Sequence, residues 1–420
     1  MREMKDSGVA WIGEIPEEWD LSRFKDHYRN TKEIVGEKSS EYERLALTLN
    51  GVIKRPKDDS EGLQPKAFDG YQILRENDFI FKMIDLQNIS TSRVGLSSYA
   101  GLVSPAYIRF TSRTKNQFNK FIYYYLMSMY YNCVFNNLGG DGVRSALNAS
   151  DMGTLMIPYP PTETQQKIAS YLDQKCTQID ALIANQQKQI EKLKAYKQSL
   201  ITETVTKGLN PDVPMKDSGV EWIGEIPKDW EIIKYGKICK VKSNLVHPSE
   251  YLDYIQVAPD NIEKGSGKLL PCLTVKENGI VSDNHLFFKG QLLYSKIRPI
   301  LNKVTIAPFD GLCSADIYPI ETNQDYRYMM YFMLSKLFLV QVKMFTENRV
   351  KMPKINQEEL AQITSSIPPI EEQQAIVSYL DQKCTQIDNL ISIKQRKIEK
   401  LQQYKKSLIY EYVTGKKEVK

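Results

Sequence analysis

The chain has 420 residues, 42% of them hydrophobic and 25% charged, with a formal net charge of +5 at pH 7. That composition is globular, with room for about two to four domains, and it excludes a disordered, collagen-like or disulfide-stapled mini-protein. The mild basic excess permits a polyanionic partner without demanding one.

The six cysteines show no CxxC spacing and only three histidines occur, so neither a zinc site nor a disulfide framework is expected. The N-terminal MREMKDSG lacks an apolar signal core. The most apolar run, MMYFMLSKLFLV, is interrupted by Lys336 and too short to span a bilayer. The expected setting is a reducing cytoplasm, with no membrane.

In chain order, the first segment is MKDSGVAWIGEIPEEW at residues 4–19, which returns as MKDSGVEWIGEIPKDW at residues 215–230. Its Trp11, Ile12, Ile15 and Trp19, like Trp222, Ile223, Ile226 and Trp230, are the same in both halves. They suit a shared anchor better than the reading of two different targets. Each opening precedes a stretch of about 140 residues in which the halves diverge. There FDGYQILRENDFIFKMI and FFKGQLLYSKIRPILNKVTIAPFDG read as strands joined by Gly, Asn and Asp turns. KFIYYYLMSMYYN and YRYMMYFMLSKLFLVQV each read as one helix, because their apolar content outruns a strand. The helical setting of Tyr123, Tyr124, Tyr125, Tyr130 and Tyr131 favours packing over contact with bases. ENDFIFKMI at 76–84 parallels KGQLLYSKI at 289–297, and GLVSPAYIRF at 101–110 parallels GLCSADIYPI at 311–320. A common scaffold thus carries different decoration.

Each half then enters a Pro-rich hinge and a long polar segment. SYLDQKCTQID at residues 170–180 returns unchanged at 378–388. Thr162 and Gln165 make a T-x-x-Q capping box. Leu172, Cys176, Ile179, Ile183, Gln186, Ile190, Leu193, Lys197 and Leu200 then fall at alternating four- and three-residue steps, the heptad spacing of a coiled coil. Leu380, Cys384, Ile387, Ile391, Lys394, Ile398, Leu401, Lys405 and Leu408 repeat that register. Gln186 and Lys394 occupy equivalent layers and can fix register, while Lys197 and Lys405 suit a solvated seam edge. Gly208 with Pro211 stops the first helix and Gly415 the second. A helix from about Thr164 to Lys207 is roughly 60 Å long at ~1.5 Å per residue, and two matching seams should pack on each other.

No catalytic apparatus emerges. GSGKL at 265–269 lacks the earlier glycine and the Ser or Thr of a phosphate loop. PYPP at 158–161 lacks the first polar residue of an amino-methyltransferase motif. Pro259-Asp260 with Glu263-Lys264 misses the spacing of a metal-dependent nuclease. His27, His247 and His285 stand alone.

The IP-x-x-W openings, the divergent modules and the hinges MIPYPPTETQQKIASYLD (156–173) and SIPPIEEQQAIVSYLD (366–381), in this duplicated order, resemble the specificity subunit of type I restriction–modification systems, the HsdS family. Thr164 stands where the second hinge has Glu372, which changes a possible capping carboxylate. The resemblance implies a mixed α/β fold: two similar target recognition modules joined by two long antiparallel helices, with pseudo-two-fold symmetry. Its expected parts are a first module at 1–161, a spacer helix at 162–208, a second module at 209–369 and a second helix at 370–415. It implies a non-catalytic chain that binds duplex DNA, each module reading half of a split site while the helices set the gap. Two modification subunits carrying S-adenosylmethionine and two ATP- and Mg-dependent motor-nuclease subunits are the implied partners. No cofactor is expected on this chain. A protein-only scaffold and a cryptic nuclease or methyltransferase are the competing classes. The first predicts no salt-dependent DNA affinity, and the second predicts turnover without partners.

Candidate DNA contacts are basic side chains, most of which position the backbone rather than read bases. In the first module they are Lys82, Arg93, Arg109, Arg113, Lys115 and Arg144, the last in the glycine-rich LGGDGVRSALN. In the second they are Lys296, Arg298, Lys303, Arg349, Lys351 and Lys354, three of them in ENRVKMPK.

Overall fold

The computed structural model describes residues 2–49, 51–59, 65, 67–84, 86, 93–114, 118–138, 146–349 and 352–419. Two compact units result: residues 1–185 with 396–420, and residues 186–395. Each long helix therefore contributes its first part to one unit and its last part to the other.

In the first unit a four-stranded antiparallel sheet holds β1 (Tyr28–Asn30), β2 (Phe79–Lys82), β3 (Arg93–Leu96) and β4 (Ile108–Ser112), in the order β1-β4-β2-β3. Alternating apolar residues put Phe79, Phe81 and Phe110 into one core with Phe24 and Tyr28. Helix α1 (Asn119–Tyr131) packs its buried face into that core. The first long helix, α2 (Thr162–Lys207), supplies Leu172, Cys176 and Ile179 to it.

The second unit repeats the plan. β5 (Cys239–Val241), β6 (Leu292–Ser295), β7 (Val304–Ile306) and β8 (Ile317–Thr322) form a sheet in the order β5-β8-β6-β7. The one long helix expected at YRYMMYFMLSKLFLVQV is instead two: α3 (Tyr326–Leu334) and α4 (Lys336–Thr346), bent by 61°. Ser335 causes the break. Its hydroxyl accepts from Phe338 N–H, as an N-cap does, and donates to Phe332 carbonyl at 2.6 Å. The second long helix, α5 (Ile370–Val413), completes the core with Ile376, Val377, Leu380, Cys384 and Ile387. No single helix among the described residues is long and apolar enough to cross a membrane.

Pairing of the long helices is antiparallel within each unit. In the first unit the Tyr171 and Tyr412 rings lie 4.6 Å apart, tilted by 39°, and Lys405 Nζ lies 2.7 Å from Asp180. In the second, Lys394 donates to Gln189, and Lys197 Nζ lies 2.8 Å from Asp388. Numbers rise along α2 as they fall along α5. Of the heptad positions, Leu172, Ile179, Ile190, Leu200, Leu380, Ile387, Ile398 and Leu408 are buried, while Ile183, Leu193, Ile391 and Leu401 are half-buried. Lys197 and Lys405 lie along the seam with their ammonium groups on carboxylates of the facing helix.

The capping box expected at Thr162 does not form. Gln165 N–H bonds Pro161 carbonyl, so Thr162 is already helical, and the Gln165 amide donates to Pro160 carbonyl at 2.8 Å. Gln373 repeats that bond to Pro368 carbonyl at 2.9 Å. The Gln is a hinge brace in both copies. The helices end before Gly208 (φ 77°) and Gly415 (φ 72°), both left-handed, where a side chain would be strained. A side chain on Gly415 would also collide with Pro16, and one on Gly208 would press on Trp230.

Candidate nucleic-acid interface

In both modules the residues that follow one strand, β2 in the first and β6 in the second, pair with a later segment of the chain. In the first, Leu147 N–H bonds Met83 carbonyl at 3.1 Å, beside a bridge of Ile84 to Ala146. In the second, Ile355 N–H bonds Lys296 carbonyl at 3.0 Å, beside a bridge of Ile297 to Lys354. A capped turn closes each pair: Asn148 with Asp151, and Asn356 with Glu359. The described ends of two candidate loops, Ala146 and Leu147 of LGGDGVRSALN and Lys354 of ENRVKMPK, thereby lie against the equivalent strand end in each module.

The second module is charged here. Lys296 Nζ sits 5.3 Å from the Tyr318 ring, and Lys354 Nζ lies 3.1 Å from Asp316. Arg349 pairs with Glu359 and donates to Lys354 carbonyl. Arg298 is exposed, and its backbone N–H donates to Pro353 carbonyl at 2.8 Å. Lys303 lies apart from this group, its ammonium held by Pro259 carbonyl and Asp260, with 14% of the side chain exposed.

In the first module Lys82 is half-buried at the end of β2, opposite Arg93 in register. Arg113 is exposed, and its Nε donates to Lys25 carbonyl at 2.8 Å. Arg109 corrects its sequence reading. It is 3% exposed, and its Nε lies 2.6 Å from the buried Asp78 carboxylate, so it is a core ion pair out of reach of DNA. Arg109 lies on the face of β4 opposite Phe110, beside Ile80, and that face is buried too, which its cationic character concealed. Lys115, Arg144 and Lys351 lie outside the described residues, as does the side chain of Arg93.

The tyrosines of α1 serve packing. Tyr124 and Tyr125 are buried, Tyr123, Tyr130 and Tyr131 half-buried, and burial pushes the Tyr123 phenol up to about 12. Tyr124 donates to Asp173 of the repeated YLD at 2.6 Å, with Lys120 on the other carboxylate oxygen. Tyr331 and Arg327 hold Asp381 likewise, but both meet its Oδ1, each at 2.6 Å. This clasp between module and long helix was not foreseen, although the repeated acid between two apolar seam residues was its signal.

The WIGEIP openings act as anchors, but not identically. Ile12, Ile15, Trp19, Ile226 and Trp230 are buried. Trp11 is half-buried and donates to Tyr125 at 3.1 Å, whereas Trp222 is 48% exposed. Phe332 occupies the position in α3 that Tyr125 has in α1, so no hydroxyl awaits Trp222 there. Trp230 Nε1 donates to Glu372 at 2.9 Å. Trp19 Nε1 is buried without a partner among the described residues, Thr164 standing where the second hinge has that carboxylate.

This geometry has known counterparts. The model of the type I restriction modification DNA specificity domain matches twice, at residues 39–192 and 227–403. The EcoDI specificity subunit of Escherichia coli is 32% identical over 259 residues, a segment spanning 58% of this chain and 58% of that protein. The MjaVIII specificity subunit of Methanocaldococcus jannaschii is 24% identical across 97% of this chain and 94% of its own length. A chain from a solved structure on complex assembly and conformational transition of the type I restriction–modification system has the same fold. It superposes with a TM-score of 0.68 at 12% identity, covering 95% of this chain and 98% of that one. Two copies of the family's domain, on a duplicated scaffold, place the chain in the family of type I restriction–modification DNA specificity subunits, whose part is recognition of DNA rather than catalysis.

Proposed function

We propose that the two modules, at 1–161 and 209–369, each read one half of a split duplex DNA site, and that the helices at 162–208 and 370–415 set the gap. The observation that carries this reading is one scaffold with two different surfaces. The strand end and capped turn recur, with Ile84 and Ile297 in common, while the residues beside them differ: Met83 and Ala146 against Lys296 and Lys354. Helices of 46 and 44 residues run roughly 69 and 66 Å at ~1.5 Å per residue. Half-sites read from one face of B-DNA lie ~34–36 Å apart, well within that span.

Lys82, Arg93, Arg113, Lys115, Arg144, Lys296, Arg298, Arg349, Lys351 and Lys354 are the proposed DNA contacts, with phosphates taking most of them. Two modification subunits bearing S-adenosylmethionine methylate adenine at the site so chosen, and two ATP- and Mg-dependent motor-nuclease subunits join for cleavage. The assembly works in the cytoplasm. The test is co-expression with the cognate modification subunit, followed by mapping of methylated adenines across a genome. The expected result is a split motif with a fixed gap. Methylation that is unchanged when this chain is omitted would leave only a protein scaffold. Turnover by the purified chain alone would make it an enzyme.

A further inference from the structure

Three of the five described non-glycine residues with left-handed backbone fall in one place, the loop pair of the second module: Arg298 (φ 45°), Asn302 (φ 47°) and Met352 (φ 43°). L-residues pay for this conformation, and it persists only where the surroundings impose it. Here they do so visibly. Arg298 N–H is tied to Pro353 carbonyl at 2.8 Å, and the buried Asn302 amide is tied to Met333 carbonyl at 2.9 Å. The turn at Pro299–Leu301 is thus fixed from both ends.

The cations around it are not equivalent. Lys354 is paired with Asp316, Arg349 with Glu359, and Lys296 lies over Tyr318. Arg298 is exposed and has no side-chain partner among the described residues. Its neighbours are apolar: Ile300, two residues on, is 47% exposed, and Met352, next to the Pro353 that holds Arg298, is 54% exposed. A surface meant only for phosphates gains nothing from exposed aliphatic side chains. Base edges in the major groove offer guanine O6 and N7 to an arginine fork, and the thymine methyl to an apolar contact.

We infer that Arg298, flanked by Ile300 and Met352, is the base-reading element of the second module, with its guanidinium recognising guanine, while Lys296, Arg349 and Lys354 hold the backbone. This rests on the specificity reading proposed above. It makes Arg298 a determinant of one base pair in one half-site and nothing else.

The test is methylome mapping with the cognate modification subunit, comparing the unaltered chain with Arg298→Gly and Lys354→Ala. Glycine keeps the left-handed backbone, so Arg298→Gly folds, and its unfolding midpoint serves as the check. Arg298→Gly is expected to relax one position of the second half-site, cutting discrimination there by roughly 5- to 150-fold. The first half-site and the gap stay as they were. Lys354→Ala is expected to lower methylation at all sites with no change of motif. An unaltered chain that gives no split motif would sink the specificity reading itself. A split motif that survives Arg298→Gly intact, with the protein folded, would overturn this inference alone. So would an equal loss at every site, since that is the signature of a phosphate contact.

Discussion

At the scale of single residues, duplication supplies its own controls. Trp230 has Glu372 as hydrogen-bond acceptor, and Trp19, with Thr164 in that place, has a buried N–H with none among the described residues. An unsatisfied buried donor costs about 1–3 kcal/mol. Thr164→Glu is therefore expected to stabilise the first unit by about 1–2 kcal/mol, and Glu372→Thr to destabilise the second by a similar amount. Urea unfolding of each variant would check both signs. Arg109 gives a contrasting prediction. Arg109→Ala strands the buried Asp78 carboxylate and should cost about 3–5 kcal/mol, seen as a lower unfolding midpoint. Loss of DNA affinity with unchanged stability would instead return Arg109 to the surface. The sequence marked Thr164 and Glu372 as a difference, but only as helix capping. Which indole meets which carboxylate depends on how the opening folds back onto the helix, and no local pattern encodes that.

Among elements, the long helices were the most readable, because a heptad needs only regular spacing. The break at Ser335 was less so: continuous apolar content hid a serine that caps the following helix with its own hydroxyl. The clasps of Tyr124 on Asp173 and Tyr331 on Asp381 tie module to helix through contacts far apart in sequence. At Asp388, burial works against the charge, but hydrogen bonds from Lys197 and Lys268 hold its carboxyl below the usual range. A carboxylate depressed on folding stabilises above its unfolded value, about 3.9, and that contribution fades as pH falls through the folded value. Stability of the second unit should drop in acid below about pH 4, and Asp388→Asn should flatten that part of the profile. A variant with an unaltered acid limb would show that the pair contributes nothing to the helix seam.

For the molecule as a whole, the duplicated motifs disclosed two modules and two long helices before any coordinates. The recognition surface stayed hidden for a physical reason. A cation's role depends on its partners: Arg109 is sealed in an ion pair, Lys303 is held by Asp260, and Arg298 is exposed on left-handed backbone. One-dimensional spacing shows none of these. The central claim is that rigid helices measure the gap between two separately read half-sites. Inserting one heptad into both helices keeps the seam in phase and lengthens the pair by about 10 Å. Methylated-adenine mapping of this variant with the cognate modification subunit tests the claim most directly. The result predicted is the same two half-sites separated by a gap longer by roughly one to three base pairs. The original gap, selected unchanged by the lengthened and folded protein, would contradict it.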